Sequence, residues 1–167
     1  MIGAMVRSAS EWVVTDLHED DRQAWQSLYV GYGDFYAVPM APETLDRVWD
    51  WLHDPGHELS AVVARPVAGG DPVGLAHFRP FSRPLHGSVG CYLDDLFVAP
   101  HARGTGAVDA LLQELQRRAV DNGWDVVRWI TRESNARARA VYARSGVQTD
   151  LITYDMAPYP STDGRER

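Results

Sequence analysis

The densest chemistry in this chain lies between Leu93 and Leu112, where Arg103-Gly104-Thr105-Gly106 joins an apolar strand-like run to a helix-like one. Glycines at a helix start let main-chain N–H groups approach an anion closely. The helix dipole adds partial positive charge there, and Arg103 adds a planar, permanently charged fork. A phosphate-bearing ligand is the expectation. A P-loop is excluded because it needs a lysine after its last glycine, and all 16 basic residues here are arginine. Upstream, Asp94 and Asp95 stand side by side; strand alternation would send them to opposite faces, one to a cleft and one into the fold, without forming a close dyad. His18, His53, His57, His77, His86 and His101 lack metal-ligand spacing and Cys91 is the single cysteine, so no metal and no disulfide are expected. His77 is a candidate aid to a base or substrate contact, and equally a hydrogen-bonded sheet histidine.

The elements that must hold these groups follow from periodicity. Leu93, Leu96, Phe97 and Val98 form a strand that Pro100 stops, and Val108, Leu111, Leu112, Leu115 and Ala119 mark one face of a helix that Gly123 closes. Trp12–Leu17 reads as a first strand, and the run His18–Asp21 as a helix start. Trp25, Leu28, Tyr29, Tyr32 and Tyr36 then share a helix face, with loosening expected near Val30 because of Gly31 and Gly33. Tyr32 and Tyr36 are candidates for the wall of a substrate pocket. Pro42 opens a second helix carrying Leu45, Val48, Trp49 and Leu52, ended by Asp54-Pro55-Gly56.

Further along, Glu58–Val67 and Pro72–Pro80 read as antiparallel strands about the turn Ala68–Asp71, and 81–90 as a loop marked by Pro84, Gly87 and Gly90. Asp125–Thr131 is a strand reached by a parallel crossover, Asn135–Ser145 a helix capped by Gly146, and Val147–Met156 a last strand or two. Residues 158–167 read as a frayed tail. With 167 residues, no repeat and no composition break, one domain is expected. A net charge of -7 argues against nucleic-acid binding and permits a cationic partner. No apolar run approaches the roughly 20 residues that span a bilayer, so no membrane partner and a cytoplasmic location are expected. Trp51, out of phase with its helix's apolar stripe, is a candidate contact for a homodimer.

The pattern Arg103-x-x-Gly106-x-Val108 behind an apolar strand resembles the signature Arg/Gln-x-x-Gly-x-Gly/Ala of GNAT-type N-acetyltransferases, over roughly Trp12 to Met156. Val108 departs from that signature, and the helix periodicity assigns it to the stripe of Leu111 and Leu112 that faces the sheet. The resemblance implies a three-layer α+β fold with a mixed, mostly antiparallel central sheet and a splayed central strand. It implies acetyl-CoA as cofactor, its diphosphate on the amides of Arg103, Gly104, Thr105, Gly106, Ala107 and Val108, and its pantetheine arm along Leu96, Phe97 and Val98. Thr131–Gly146 resembles the family segment that carries an asparagine and a tyrosine: Asn135, with Ala138, would lie on the cofactor side, and Tyr142 would protonate the leaving thiolate. Leu93-Asp94-Asp95 looks like the acidic strand of the diamine and polyamine branch, which makes Asp94 the implied base and a substrate contact.

The expectation is thus an enzyme that moves acetyl to a primary amine of a polyamine, diamine or amino-acid-like molecule by direct attack, without Cys91. A coenzyme-A-binding sensor without turnover, and a peptide or protein N-acetyltransferase, stay open as alternatives.

Overall fold

The computed structural model describes residues 11–158. One sheet runs β1 (Trp12–Asp16), β2 (Ser60–Pro66), β3 (Gly74–Arg83), β4 (Ser88–Val98), β5 (Val127–Arg128) in that spatial order. Its first three junctions are antiparallel, and β4 with β5 is parallel. Four helices flank it: α1 (Arg22–Tyr36), α2 (Pro42–His53), α3 (Ala107–Asp121) and α4 (Ala136–Ser145). This is the mixed, mostly antiparallel α+β arrangement that the sequence implies, with α3 as the crossover between β4 and β5.

Strand alternation divides the core in two. Val63, Leu75 and Phe97 point to one face and bury Trp25 and Leu28 of α1 with Leu45, Val48 and Trp49 of α2. Val62, Ala64, Ala76, Phe78, Leu93 and Val98 point to the other and bury Leu111, Leu112 and Leu115 of α3, with Val141 and Tyr142 of α4 packed alongside. Each fully buried leucine or valine in these layers contributes about 1.5–3 kcal/mol. The stripe read from the α3 sequence is therefore the buried one, and Val108 belongs to it, packed against this core.

Several elements depart from expectation. Helix α1 does not loosen at Val30 but runs unbroken to Tyr36. Its glycines serve close packing: a Cβ at Gly31 would stand 3.0 Å from Phe97 Cζ, and one at Gly33 2.8 Å from the Val38 carbonyl oxygen. The chain turns back there through Ala37 at φ 56°, with Val38 N–H bonded to Gly33 O (2.9 Å). The loop expected over 81–90 is a tight hairpin instead, a 3₁₀ turn at Pro84–His86 closed by Gly87 at φ 58°. Gly90 lets the strands continue, because a Cβ there would meet Phe81 Cε1 at 2.6 Å and Val126 Cγ1 at 2.8 Å.

Strand β5 is two residues long where seven were expected, paired as Cys91 with Val127 and Tyr92 with Arg128. Gly146 follows α4 but is extended (φ -156°), so it is no left-handed cap; its place against the Trp129 ring, 3.0 Å from a Cβ position, is what requires glycine. Val147–Met156 forms no strand. A strand exists through its ladder, and this segment has none: Val147, Leu151, Ile152, Tyr154 and Met156 are all exposed. The tail expected at 158–167 lies outside the described residues except for Pro158. Trp51 is 40% exposed, and its ring stacks on His57.

Candidate active site

The site is organised by a β-bulge. Opposite β3, His77 pairs with Asp95 and Phe78 with Leu93, so Asp94 is an extra residue in β4 with no partner of its own. The consequence corrects the expectation drawn from strict alternation. Arg79 lies two residues beyond His77 on a regular strand and so shares its face, and Arg79 holds Asp94 (Nε to Oδ2, 3.2 Å) while His77 holds Asp95 (Nδ1 to Oδ2, 2.9 Å). Both carboxylates are thus turned to the α1 side of the sheet.

Their environments differ sharply. Asp95 is the better supported. Burial alone would push its carboxyl up, but the hydrogen bond from His77, with those from the phenols of Tyr32 and Tyr29, outweighs that and holds it below the usual carboxylate range. His77 is wholly buried, so it touches no substrate. The Trp25 indole, which can only donate, gives its N–H to His77 Nε2 (2.9 Å). That fixes the neutral tautomer with its proton on Nδ1, donated to Asp95. His77 is thereby the hydrogen-bonded sheet histidine, a positioning group and not a substrate contact. At Asp94, burial raises the carboxyl despite Arg79; Oδ1 accepts from Arg79 Nε (3.3 Å), and the buried Oδ2 stands in the same ion pair, 3.2 Å from that nitrogen, without a hydrogen bond of its own.

Three tyrosines line the facing side of α1. Tyr29 and Tyr32 reach Asp95, and burial together with that carboxylate raises both phenols. Tyr32 meets Tyr36 edge-on (5.0 Å), and the Arg132 guanidinium lies over the Tyr36 ring (4.9 Å). Tyr142 of α4 packs edge-on against Trp129 (5.3 Å) and is raised to about 12 by burial and by nearby Tyr36. The expected Tyr32, Tyr36 and Tyr142 therefore converge. Tyr29 and Asp95 join them: the sequence places Tyr29 only on the helix face, and offers Asp95 as one of an adjacent acidic pair of which one would face a cleft.

Beyond the bulge β4 runs past the end of β5. Ala99 N–H bonds Val73 O on the β3 side (2.8 Å), so alternation turns the N–H and C=O of Val98 and Leu96 to the open edge. Arg103 Nε donates to the Val98 carbonyl there (3.0 Å), with its guanidinium over the Phe97 ring (5.4 Å). Phe97 and Val98 themselves are core side chains and offer only backbone to a ligand. Gly104 and Gly106 adopt φ of 82° and 92° with open space where a Cβ would stand. Trp12 Nε1 holds the Thr105 carbonyl (2.9 Å), and Thr105 Oγ1 bonds Ala102 O (2.6 Å). The first backbone bond into α3 is Ala110 N–H to Gly106 O, so the amides of the helix start just ahead of it have no partner within the helix, whereas Arg103 N–H is given to Pro100 O (3.4 Å). This cradle and the open edge fit a diphosphate and an extended amide-bearing arm.

Asn135 caps α4, its Oδ1 accepting from Ala138 N (3.2 Å), with Nδ2 3.5 Å from Thr131 Oγ1. Cys91 is wholly buried, and burial pushes its thiol up to about 11, which leaves it no nucleophilic role. Among the described residues no cluster of His, Cys, Asp and Glu could hold a metal, and no helix is long and apolar enough to cross a membrane.

A strand, an anion cradle at a helix start and a splayed strand edge define a class of acetyltransferase. The profile of the acetyltransferase (GNAT) family matches residues 15–147, and the chain belongs to that family. It is an acetyl-CoA-dependent N-acetyltransferase. A D-amino-acid N-acetyltransferase of Saccharomyces cerevisiae is 29% identical over 147 residues, covering 88% of this chain and 91% of the relative. An uncharacterised N-acetyltransferase of Bacillus subtilis is 31% identical over 94 residues, 56% of this chain and 62% of its own length. Among solved structures, a probable acetyltransferase superposes with a TM-score of 0.78 at 21% identity (89% of this chain, 98% of that one). A ribosomal-protein-alanine N-acetyltransferase from Brucella melitensis does so at 0.72 and 20% (87% and 98%). At those identities the superpositions speak for the fold.

Proposed function

We propose that this enzyme acetylates the primary amine of a small molecule by direct attack in a ternary complex, with the amine docked at Asp94. The observation that carries the reading is the bulge. It turns Asp94 toward the tyrosine-lined face with its side chain 27% exposed, where an ammonium can meet the carboxylate directly or through one water. Asp94 would take the proton that makes the amine nucleophilic. Asp95, held ionised by His77, adds negative charge beside it and favours a cationic acceptor.

Acetyl-CoA, when bound, supplies the acetyl group as a thioester. The amides of Arg103 to Val108 and the Arg103 guanidinium would hold its diphosphate, the open edge at Leu96 and Val98 would pair its amide arm, and Asn135 with Ala138 would border it. Tyr142 would stand as donor to the departing sulfur. Its phenol near 12 stays protonated at working pH, and full transfer to an ordinary thiolate of pKa about 8.5 is uphill by about 5 kcal/mol, so Tyr142 acts as a hydrogen-bond donor to sulfur more than as a spent acid.

The test is thiol release over an amine panel, wild type against Asp94→Asn. Since the Asp94 carboxyl is raised, wild-type rate falls as pH drops through that raised value. The variant should lose that limb and about 100-fold or more in rate while retaining cofactor affinity. An unchanged pH profile would remove Asp94 from the reaction. The acidic strand resembles the polyamine branch, whereas the yeast relative's name points to amino acids, so both acceptor classes belong in the panel.

A further inference from the structure

We infer that Arg79 recognises a carboxylate on the acceptor, so that the preferred substrate is an α-amino acid and not a diamine; this rests on the amine docking at Asp94 proposed above. Arg79 projects from β3 on the face that carries both aspartates. Its Nε touches Asp94 (3.3 Å to Oδ1 and 3.2 Å to Oδ2), and Nη1 stands 3.8 Å from Glu58 Oε1, too far for a hydrogen bond. Of five guanidinium N–H donors, the one on Nε is spent on Asp94, which leaves the outer fork without a hydrogen bond, its Nη1 in loose ion-pair contact with the 58% exposed Glu58. That fork is aimed by the Tyr92 ring beneath it, 5.1 Å from Arg79 Cζ, and the side chain is one third exposed.

The charges are placed in the order a zwitterion needs. An α-amino acid carries its ammonium and its carboxylate on one carbon atom. Its ammonium would meet the exposed edge of the Asp94 carboxylate, whose side chain is 27% exposed, and its carboxylate would meet the outer nitrogens of Arg79, which already sits against that same aspartate. Four charges of alternating sign then close on one another. A second arginine extends the cationic side. Arg128 of β5, opposite Tyr92, lies over the Phe81 ring at 5.4 Å, and among the described residues no carboxylate is within ion-pair distance of it. A diamine bound with one nitrogen at Asp94 would carry its other cation toward these guanidinium groups, or away from the aromatic floor of Tyr92 and Phe81. Either outcome weakens it relative to the zwitterion.

The experiment compares kcat/KM for a series of amino acids of both hands, their C-terminal amides, and 1,4-diaminobutane, in wild type, Arg79→Gln and Arg79→Lys, with melting curves to verify folding. In wild type the amino acid should exceed its amide by about 10-fold or more. Arg79→Gln loosens Asp94 and should lower turnover of both, but should cut the amino-acid value about 10-fold or more beyond its effect on the amide, and Arg79→Lys should restore part of that difference. An equal loss on acid and amide would make Arg79 a holder of Asp94 alone and overturn the inference, as would a wild-type preference for the amide or the diamine. Should amides and diamine be acetylated without any carboxylate advantage, the amine reading stands and this one falls. Should no acceptor in the series release thiol, both fall together.

Discussion

Replacing each of the two adjacent aspartates by asparagine should move stability in opposite directions. At Asp95 the carboxylate accepts from His77 Nδ1–H and is reached by the phenols of Tyr32 and Tyr29. Asparagine keeps the shape, removes the charge and turns an NH2 group toward donors. The charge-assisted bond to His77 weakens by about 1 kcal/mol, and a buried donor left facing another donor costs about 1–3 kcal/mol more. A loss of about 2–4 kcal/mol is about 6–12 °C in Tm for a chain of this size. The sign with pH follows from the lowered carboxyl: its stabilisation is complete above the unfolded value near 4 and is lost as pH falls through the folded one, so the gap between wild type and Asp95→Asn closes below about pH 4. Asp94 is the reverse case. Its carboxyl is raised, so the ionised form is a burden to the fold at neutral pH, and Asp94→Asn should leave Tm unchanged or slightly higher at pH 7 while abolishing most activity. Melting both variants by circular dichroism between pH 3.5 and 8 decides the matter. Equal destabilisation of the two at pH 7, or an Asp95→Asn melt within about 2 °C of wild type, would refute the division of labour drawn here.

Other outcomes follow from the same geometry. Tyr142→Phe should lower kcat about 10- to 100-fold with coenzyme A affinity unchanged by calorimetry, since it removes a donor to sulfur and keeps the ring against Trp129. Trp25→Phe deprives buried His77 Nε2 of its donor and leaves a gap beside Trp49, a loss of about 3 kcal/mol readable as a lowered urea midpoint, accompanied by reduced turnover through Asp95. Gly33→Ala gains about 1 kcal/mol of helix propensity, but its Cβ falls 2.8 Å from a backbone oxygen and 2.4 Å from Met40 Cγ, so the melt should show a net loss of about 1 kcal/mol.

The legible parts of the fold were those set by local period. The α3 stripe from Val108 to Ala119, the turn at Gly104 and Gly106, and the opening of α2 at Pro42 each follow from rules acting over a few residues. The misread parts depended on partners distant in sequence. Gly31 and Gly33 look like helix breakers because glycine lacks propensity, yet each is fixed by a neighbour outside its helix, Phe97 in one case and the returning Val38–Met40 in the other. Val147–Met156 has strand-forming residues and no ladder to join, because β5 ends after Arg128. Propensity proposes a strand, and pairing decides it.

The site was legible as a list of residue types and illegible as a geometry. Strict alternation sends neighbouring side chains to opposite faces, and from it Asp94 and Asp95 could not share a cleft. One inserted residue reverses that conclusion, because a bulge resets the phase of everything on one side of it while leaving Phe97 and Leu75 properly paired beyond. No residue in Leu93–Val98 announces the bulge: it holds no glycine or proline, and the unpaired Asp94 is revealed only by the register against His77 and Phe78. The same insertion gives the two aspartates different surroundings. The residue in register with His77 inherits a buried histidine and its indole, whereas the extra residue has no cross-strand partner and is held by Arg79. An extra position in a paired strand can set a second carboxylate on the same face as its neighbour, and a partly exposed carboxylate there is what an amine can bind.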